Sequence, residues 1–167
     1  MHILAQRHGI GLTKPRCLCN TGAGVIHGQN VLLCQPQTYM NESGRAVVSL
    51  INWYKAEHTD LILVYDDIDL PLWRLRVRPS GSAGTHNGMR SIIYLTGAED
   101  YARVRVGIGR PGEGRDLRAF VTGHYSAHER AAAFAALMRA AEAVECIIAH
   151  GVEKAMAQYN AGPPAAG

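Results

Sequence analysis

The fold class of this chain is decided by the stretch Leu61-Ile62-Leu63-Val64-Tyr65-Asp66-Asp67, in which an apolar run ends on two carboxylates. The run lacks polar alternation, which predicts a strand over residues 61–66 that is buried on both faces. Strands alternating with helices indicate an α/β protein. We therefore predict a single-domain mixed sheet flanked by helices, with Asp66 at the carboxyl end of a strand, where open α/β sheets place their active sites.

The rest of the chain supplies the other predicted elements. Apolar periodicity predicts helices over residues 1–9, 41–54, 89–95, 127–149 and 152–159. It also predicts two strands within residues 16–35 and further strands over 72–77 and 104–108. In the longest helix, a stripe that includes Phe134, Leu137 and Val144 is expected to face the core. The domain is expected to span residues 1–160, and the tail, residues 161–167, is expected to be disordered.

The composition excludes several classes of protein. The chain has 167 residues, 47% of them hydrophobic and 19% charged, with a net charge of +3, which is ordinary for a water-soluble domain. No apolar run approaches the roughly 20 residues of a membrane span. The four cysteines lack C-x-x-C spacing, so we expect reduced thiols, no metal site and a cytoplasmic protein.

A glycine loop and a set of arginines follow the strand. The loop, residues 81–88 with the sequence Gly-Ser-Ala-Gly-Thr-His-Asn-Gly, opens into a helix, and backbone N–H groups in such loops can hold carbonyl or phosphate oxygens. Seven arginines lie between residues 74 and 110, and three of them alternate on one strand, at positions 74, 76, 78, 90, 103, 105 and 110. Phosphate contacts are the favoured interpretation, with Arg78 the first candidate, and a solvated face is the alternative.

Four motifs together carry a resemblance to a known family. They are Thr38-Tyr39-Met40-Asn41-Glu42-Ser43-Gly44, the pair Asp66-Asp67, the loop Gly84-Thr85-His86-Asn87-Gly88, and the segment from Arg103 to Pro111. Over nearly the whole chain the sequence resembles the bacterial peptidyl-tRNA hydrolases. The resemblance implies an esterase that releases tRNA from peptidyl-tRNA left by stalled translation, acting as a cytoplasmic monomer without cofactor or metal.

The resemblance also assigns roles to individual residues. Asp66 is expected to orient a general-base histidine, Asn41 and Asn87 to bind the substrate, and Tyr39 to contact the 3′ end of the tRNA. His86 and Arg78 complete the expected substrate site. On local evidence alone Asn41 could be a helix N-cap and Tyr39 a core aromatic, while a cap or a solvated turn is expected for Asp67 and Asp69.

Three departures from the family pattern qualify these expectations. The family opens with a strand and a histidine-bearing string that have no counterpart here, so we expect an N-terminally truncated chain whose His8 is not the catalytic histidine. An RNA-binding paralogue without catalytic activity is the alternative. Trp73 and Thr85 stand where the family usually has glycine.

Overall fold

The computed structural model describes residues 1–112, 114 and 116–162, and it builds two three-stranded sheets surrounded by helices. The expected tail therefore falls largely outside the described residues. The elements follow one another in the order α1 (His2–Arg7), β1 (Lys14–Arg16), β2 (Cys19–Ile26), β3 (Gln29–Pro36), α2 (Ser43–Tyr54), β4 (Ile62–Asp67), β5 (Leu75–Arg78), α3 (Asn87–Thr96), β6 (Ala102–Gly107), α4 (Leu117–Val121), α5 (Ala127–His150) and α6 (Val152–Tyr159).

The first sheet is an antiparallel meander of β1, β2 and β3. Strands β2 and β3 are joined by His27 and Gly28, whose φ angles of 49° and 79° suit a tight hairpin turn. Strand β1 was not predicted, because its residues Lys14-Pro15-Arg16 are polar or ring-constrained and fully exposed. The short helix α4 was also missed, since five residues are too few for a clear apolar period.

The second sheet has the order β4-β6-β5 and carries the two carboxylates. Strand β4 runs parallel to β6, while β5 runs antiparallel to it, so the predicted α/β class with a mixed sheet is confirmed. The expected burial of β4 on both faces was wrong. Within the described residues β4 lies at the sheet edge, and Val64 is 40% exposed. An apolar run specifies a strand but not its place in the sheet.

The two faces of this sheet pack differently. Helix α5 contacts one face, where Val77 and Val104 pack with Ala140. Helices α2 and α3 cover part of the other face around Tyr65 and Met89. The outer edge of β5 is closed by a side chain, since Asn160 accepts a hydrogen bond from Val77 N at 2.6 Å and donates one to Val77 O at 3.1 Å.

The stripe of α5 that was expected to face the core does so only in its second half, where Val144 is 5% exposed and packs with the sheet residues Val77 and Val104. Phe134 and Leu137 are 58% and 47% exposed, whereas small residues such as Ala133, Ala136 and Ala140 are buried. The first half of the predicted stripe is therefore exposed, and the small residues beside it are buried instead. No helix in the described ranges is long and apolar enough to cross a membrane.

Candidate active site

Asp66 and His86 form the centre of the candidate site. Asp66 lies near the carboxyl end of β4 with its side chain 33% exposed, and its Oδ1 is 3.6 Å from His86 Nε2. The His86 ring also packs against Tyr65, with the ring centroids 4.9 Å apart. The contact with His86 holds the pKa of Asp66 below its ordinary value, although partial burial acts in the opposite direction. Asp66 is therefore ionised at neutral pH.

The hydrogen bonds of His86 define its tautomer. His86 caps the N-terminus of α3, where its Nδ1 accepts a hydrogen bond from the Met89 N–H at 3.1 Å. A ring nitrogen that accepts a hydrogen bond carries a lone pair, so the proton of the neutral ring is on Nε2 and faces Asp66. Nδ1 is thus occupied, while Nε2 faces Asp66 Oδ1 at 3.6 Å, slightly beyond hydrogen-bond distance. His86 has no lone pair available to take a proton from water in this arrangement.

The two predicted asparagines stand on either side of a close contact between Met40 and Gly88. A Cβ on Gly88 would lie 2.7 Å from the Met40 sulfur and 2.8 Å from the His86 ring, so any larger residue would have to displace one of these side chains. Asn41 lies in a single turn of 3-10 helix before α2, and Asn87 is the first residue of α3. Both are exposed, and neither side chain makes a hydrogen bond within the described part of the chain.

The local alternatives for Asn41 and Tyr39 do not match the structure. The residue that flanks the start of α2 is Glu42, so Asn41 is not its N-cap. Tyr39 is 80% exposed and is therefore not a core aromatic. Its ring is available to contact a partner beside Asn41.

A polar cavity of about 210 Å³ lies between the glycine loop and the strands β5 and β6. Its basic lining comes from Arg78, Arg103 and Arg105. The register pairs Arg78 with Arg103 and Arg76 with Arg105, so these side chains share one face of the sheet. Arg74 precedes β5, and the predicted alternation on the strand applies only to residues 76 and 78. Asp67 and Asp69 also line the cavity, but each is paired with an arginine. Arg78, which has no ion pair among the described residues, leaves a positive charge that suits a phosphate group.

The buried side chain of Arg103 stabilises the glycine loop by a hydrogen bond to one of its backbone carbonyls. It is 1% exposed, and its guanidinium donates to Ser82 O at 2.8 Å and to Glu99 O at 3.1 Å while standing over the Tyr101 ring at 4.9 Å. Its Nε has no hydrogen-bond partner among the described residues. The sequence grouped this arginine with six others as phosphate contacts, and its buried hydrogen bonds to backbone carbonyls were not predicted.

Asp67 was expected to be a cap or a solvated turn residue, and that expectation was wrong. Its side chain is 7% exposed and forms an ion pair with Arg105 across the two strands. Asp69 lies in the turn that follows, as expected, and binds Arg110 and the Thr85 hydroxyl, the latter at 3.0 Å. Arg110 first, and then Thr85, lower the pKa of Asp69. The unusual threonine therefore ties the glycine loop to this turn.

Trp73, the other departure, occupies a strained backbone position. Its φ is +63°, in the left-handed region, which costs a non-glycine residue about 1–2 kcal/mol. Its ring packs edge-on against Tyr125, with the ring centroids 5.1 Å apart. Trp73 therefore combines an unfavourable backbone conformation with a favourable aromatic contact.

Comparisons with known proteins match this geometry to one family. The sequence model for peptidyl-tRNA hydrolase matches residues 1–166. The chain belongs to the peptidyl-tRNA hydrolase family. It is 48% identical over 158 residues to the peptidyl-tRNA hydrolase of Chloroflexus aurantiacus, an alignment covering 94% of this chain and 84% of that protein. It is also 48% identical over 162 residues to the Roseiflexus sp. enzyme, covering 96% and 75%.

A solved structure agrees with the sequence relatives. The crystal structure of peptidyl-tRNA hydrolase from Acinetobacter baumannii superposes with a TM-score of 0.90 at 32% identity, covering 98% of this chain and 84% of that one. The predicted fold and the predicted class of enzyme, a peptidyl-tRNA hydrolase, are thereby confirmed. Within the described residues no cluster of three or more His, Cys, Asp or Glu side chains could hold a metal ion.

Proposed function

We propose that this chain hydrolyses the ester between peptide and tRNA at the site built around Asp66. Water adds to the carbonyl carbon, the bond from that carbon to the ribose oxygen breaks, and the products are a peptide carboxylate and a tRNA with a free ribose hydroxyl. The observation that carries the proposal is the ionised Asp66 facing His86, with two unbonded asparagine amides nearby. Asn41 and Asn87 position the ester, and Tyr39 contacts the 3′ end.

The phosphates of the tRNA provide the second part of the proposal. Arg78 is exposed, lines the polar cavity and makes no ion pair within the described ranges, so its charge is available to a ligand. Arg105 is already paired with Asp67, which orients its guanidinium. Arg78 therefore supplies the main new charge to a tRNA phosphate. The monomeric state and the cytoplasmic location stay predictions.

The general base is the third part. An orienting carboxylate serves a histidine whose other nitrogen carries a lone pair toward water. His86 does not meet this condition, because the Met89 N–H occupies its Nδ1. We propose that the base belongs to the histidine-bearing segment with which the family opens, and that His86 is at most a weak substitute. The exposed outer side of β4, with Val64 40% exposed, leaves room for such a segment beside Asp66.

These roles are tested by the rates of ester hydrolysis of three proteins and by the salt dependence of tRNA binding. Peptide release from N-acetylated aminoacyl-tRNA is measured with this chain in excess, and we expect it to be slower than for the Chloroflexus aurantiacus enzyme by about 10²–10⁴-fold, the usual contribution of a general base. Asn87→Ala should slow release further without changing the salt dependence of tRNA binding. Comparable rates for the two enzymes would contradict the account of the base.

The phosphate contact is tested separately by binding. Arg78→Ala should weaken tRNA binding at fixed salt and reduce the slope of log affinity against log salt by about one unit. Arg118→Ala is the matched control, because Arg118 is an exposed arginine on α4 outside the polar cavity. If the two variants bind alike across the salt series, the arginine face is only solvated. An inactive chain that binds tRNA would instead favour the RNA-binding paralogue.

A further inference from the structure

Trp73 stands in a turn position that normally requires glycine. The turn runs from Pro71 to Arg74 and is closed by a hydrogen bond from Arg74 N to Pro71 O at 3.0 Å. Trp73 is its third residue, with φ +63°, the position at which such turns favour glycine. Its N–H donates to Gly107 O at 2.8 Å, which fixes the turn at the carboxyl end of β6. Strain of this kind persists where the surroundings impose it, and it concentrates at functional sites.

The side chain of Trp73 packs against Tyr125. The two rings meet at 5.1 Å and 61°, an edge-to-face arrangement that is favourable for aromatic pairs. Tyr125 precedes Ser126, the N-cap of α5, and remains 41% exposed. Burial raises the pKa of the Tyr125 phenol, and the charge of Asp66 raises it further.

The position of this pair separates it from the tRNA contacts. Successive side chains of a strand point to opposite faces, so Asp66 faces away from Tyr65 and Asp67, which line the polar cavity with Arg78. Tyr125 leads into α5, and α5 packs on the face that Asp66 shares. His86, which lines the phosphate cavity, contacts Asp66 from the cavity side, and the aromatic pair lies on the α5 side, where we place the acyl group of the ester.

We propose that Trp73 is a positioning residue that holds Tyr125 as a wall for the side chain of the amino acid esterified to the tRNA. The wall is apolar and aromatic, so it favours large apolar and above all aromatic side chains over glycine. This inference rests on the proposed hydrolysis at Asp66, because it assumes that the ester lies beside that carboxylate.

The test compares three probes. They are tRNA joined through a non-hydrolysable 3′-amide to N-acetylphenylalanine, the same tRNA joined to N-acetylglycine, and deacylated tRNA. We expect the parent chain to bind the phenylalanyl probe most tightly. Trp73→Gly, in which glycine accepts the turn without strain, should lose about three- to tenfold in affinity for that probe alone. Trp73→Phe should restore most of the preference, and Leu72→Ala, in the same turn, is the matched control.

Each outcome decides between the alternatives. A parent chain that binds all three probes equally, or a Trp73→Gly protein that keeps the full preference, would overturn the inference while leaving the proposed function intact. Equal weakening of all three probes would show a structural role only and would also overturn it. A parent chain that binds none of the probes would remove the proposed function itself. The melting temperature of each variant shows whether it is folded. Tyr125→Ala is the second variant, and it should lose the same preference for the phenylalanyl probe.

Discussion

Arg103 gives the sharpest prediction, because its whole environment is defined. Replacing it by methionine keeps an apolar stem of similar length but removes two hydrogen bonds to carbonyl oxygens and the stack over Tyr101. Hydrogen bonds from a charged group contribute about 1.5–3 kcal/mol each, and the stack about 0.5–2 kcal/mol. The methionine variant recovers part of this free energy, because folding no longer has to bury a charged guanidinium. We expect Arg103→Met to lose about 3–5 kcal/mol of unfolding free energy.

Urea denaturation measures this loss, with the slope of each transition checked for constancy. Arg90→Met is the matched control, because Arg90 also bonds the glycine loop, at Gly84 O, but from an exposed position and at 3.3 Å. It should lose less than about 1 kcal/mol. Amide hydrogen exchange over residues 81–88 should accelerate only in Arg103→Met. Equal stability and equal exchange in the two variants would refute the assignment of Arg103 as the support of the loop.

Three further predictions test other parts of the structure. Asn160→Ala should lose about 1–3 kcal/mol in urea denaturation, because both backbone groups of Val77 lose their partner at the edge of β5; a loss near zero would show that water replaces it. Gly88→Ala should slow peptide release by at least tenfold, since the added methyl group displaces the His86 ring, and an unchanged rate would contradict that geometry. Burial raises the pKa of the Cys19 thiol to about 11 and that of the Cys34 thiol to about 12. At pH 8 no more than about one in a thousand of either thiol is therefore ionised. Alkylation of both thiols should be slow in the folded protein and fast once urea unfolds it.

Elements with a clear period were predictable from the sequence, and the placement of strands was not. The run before Asp66 predicted a strand because apolar β-forming residues have few other places in a domain. Its edge position depends on which strands pair with it, and the partner β6 begins about 40 residues later, at Ala102. No local pattern encodes that order. Likewise, no local pattern in α5 shows that Phe134 and Leu137 stay exposed while Val144 is buried.

Candidate site residues were proposed from the sequence where a motif carried them, and contacts made by long-range pairing were missed. Asp66, Asn41 and Asn87 belong to compact motifs. The buried pair of Asp67 and Arg105 joins positions 38 residues apart, and neighbouring residues give no sign of it. The availability of the His86 lone pair was equally hidden, since it depends on the exact start of α3.

The central claim is that the carboxylate of Asp66 takes part in ester hydrolysis, and one measurement tests it directly. Single-turnover release of N-acetylated amino acid from tRNA is compared for the parent, Asp66→Asn and Asp100→Asn, an exposed aspartate whose nearest charged partner is His58 at 3.8 Å. We predict that Asp66→Asn slows the remaining release severalfold, because the carboxylate that faces His86 is lost, while tRNA affinity changes less than about twofold. Asp100→Asn should match the parent. Release by Asp66→Asn at the parental rate would contradict the account.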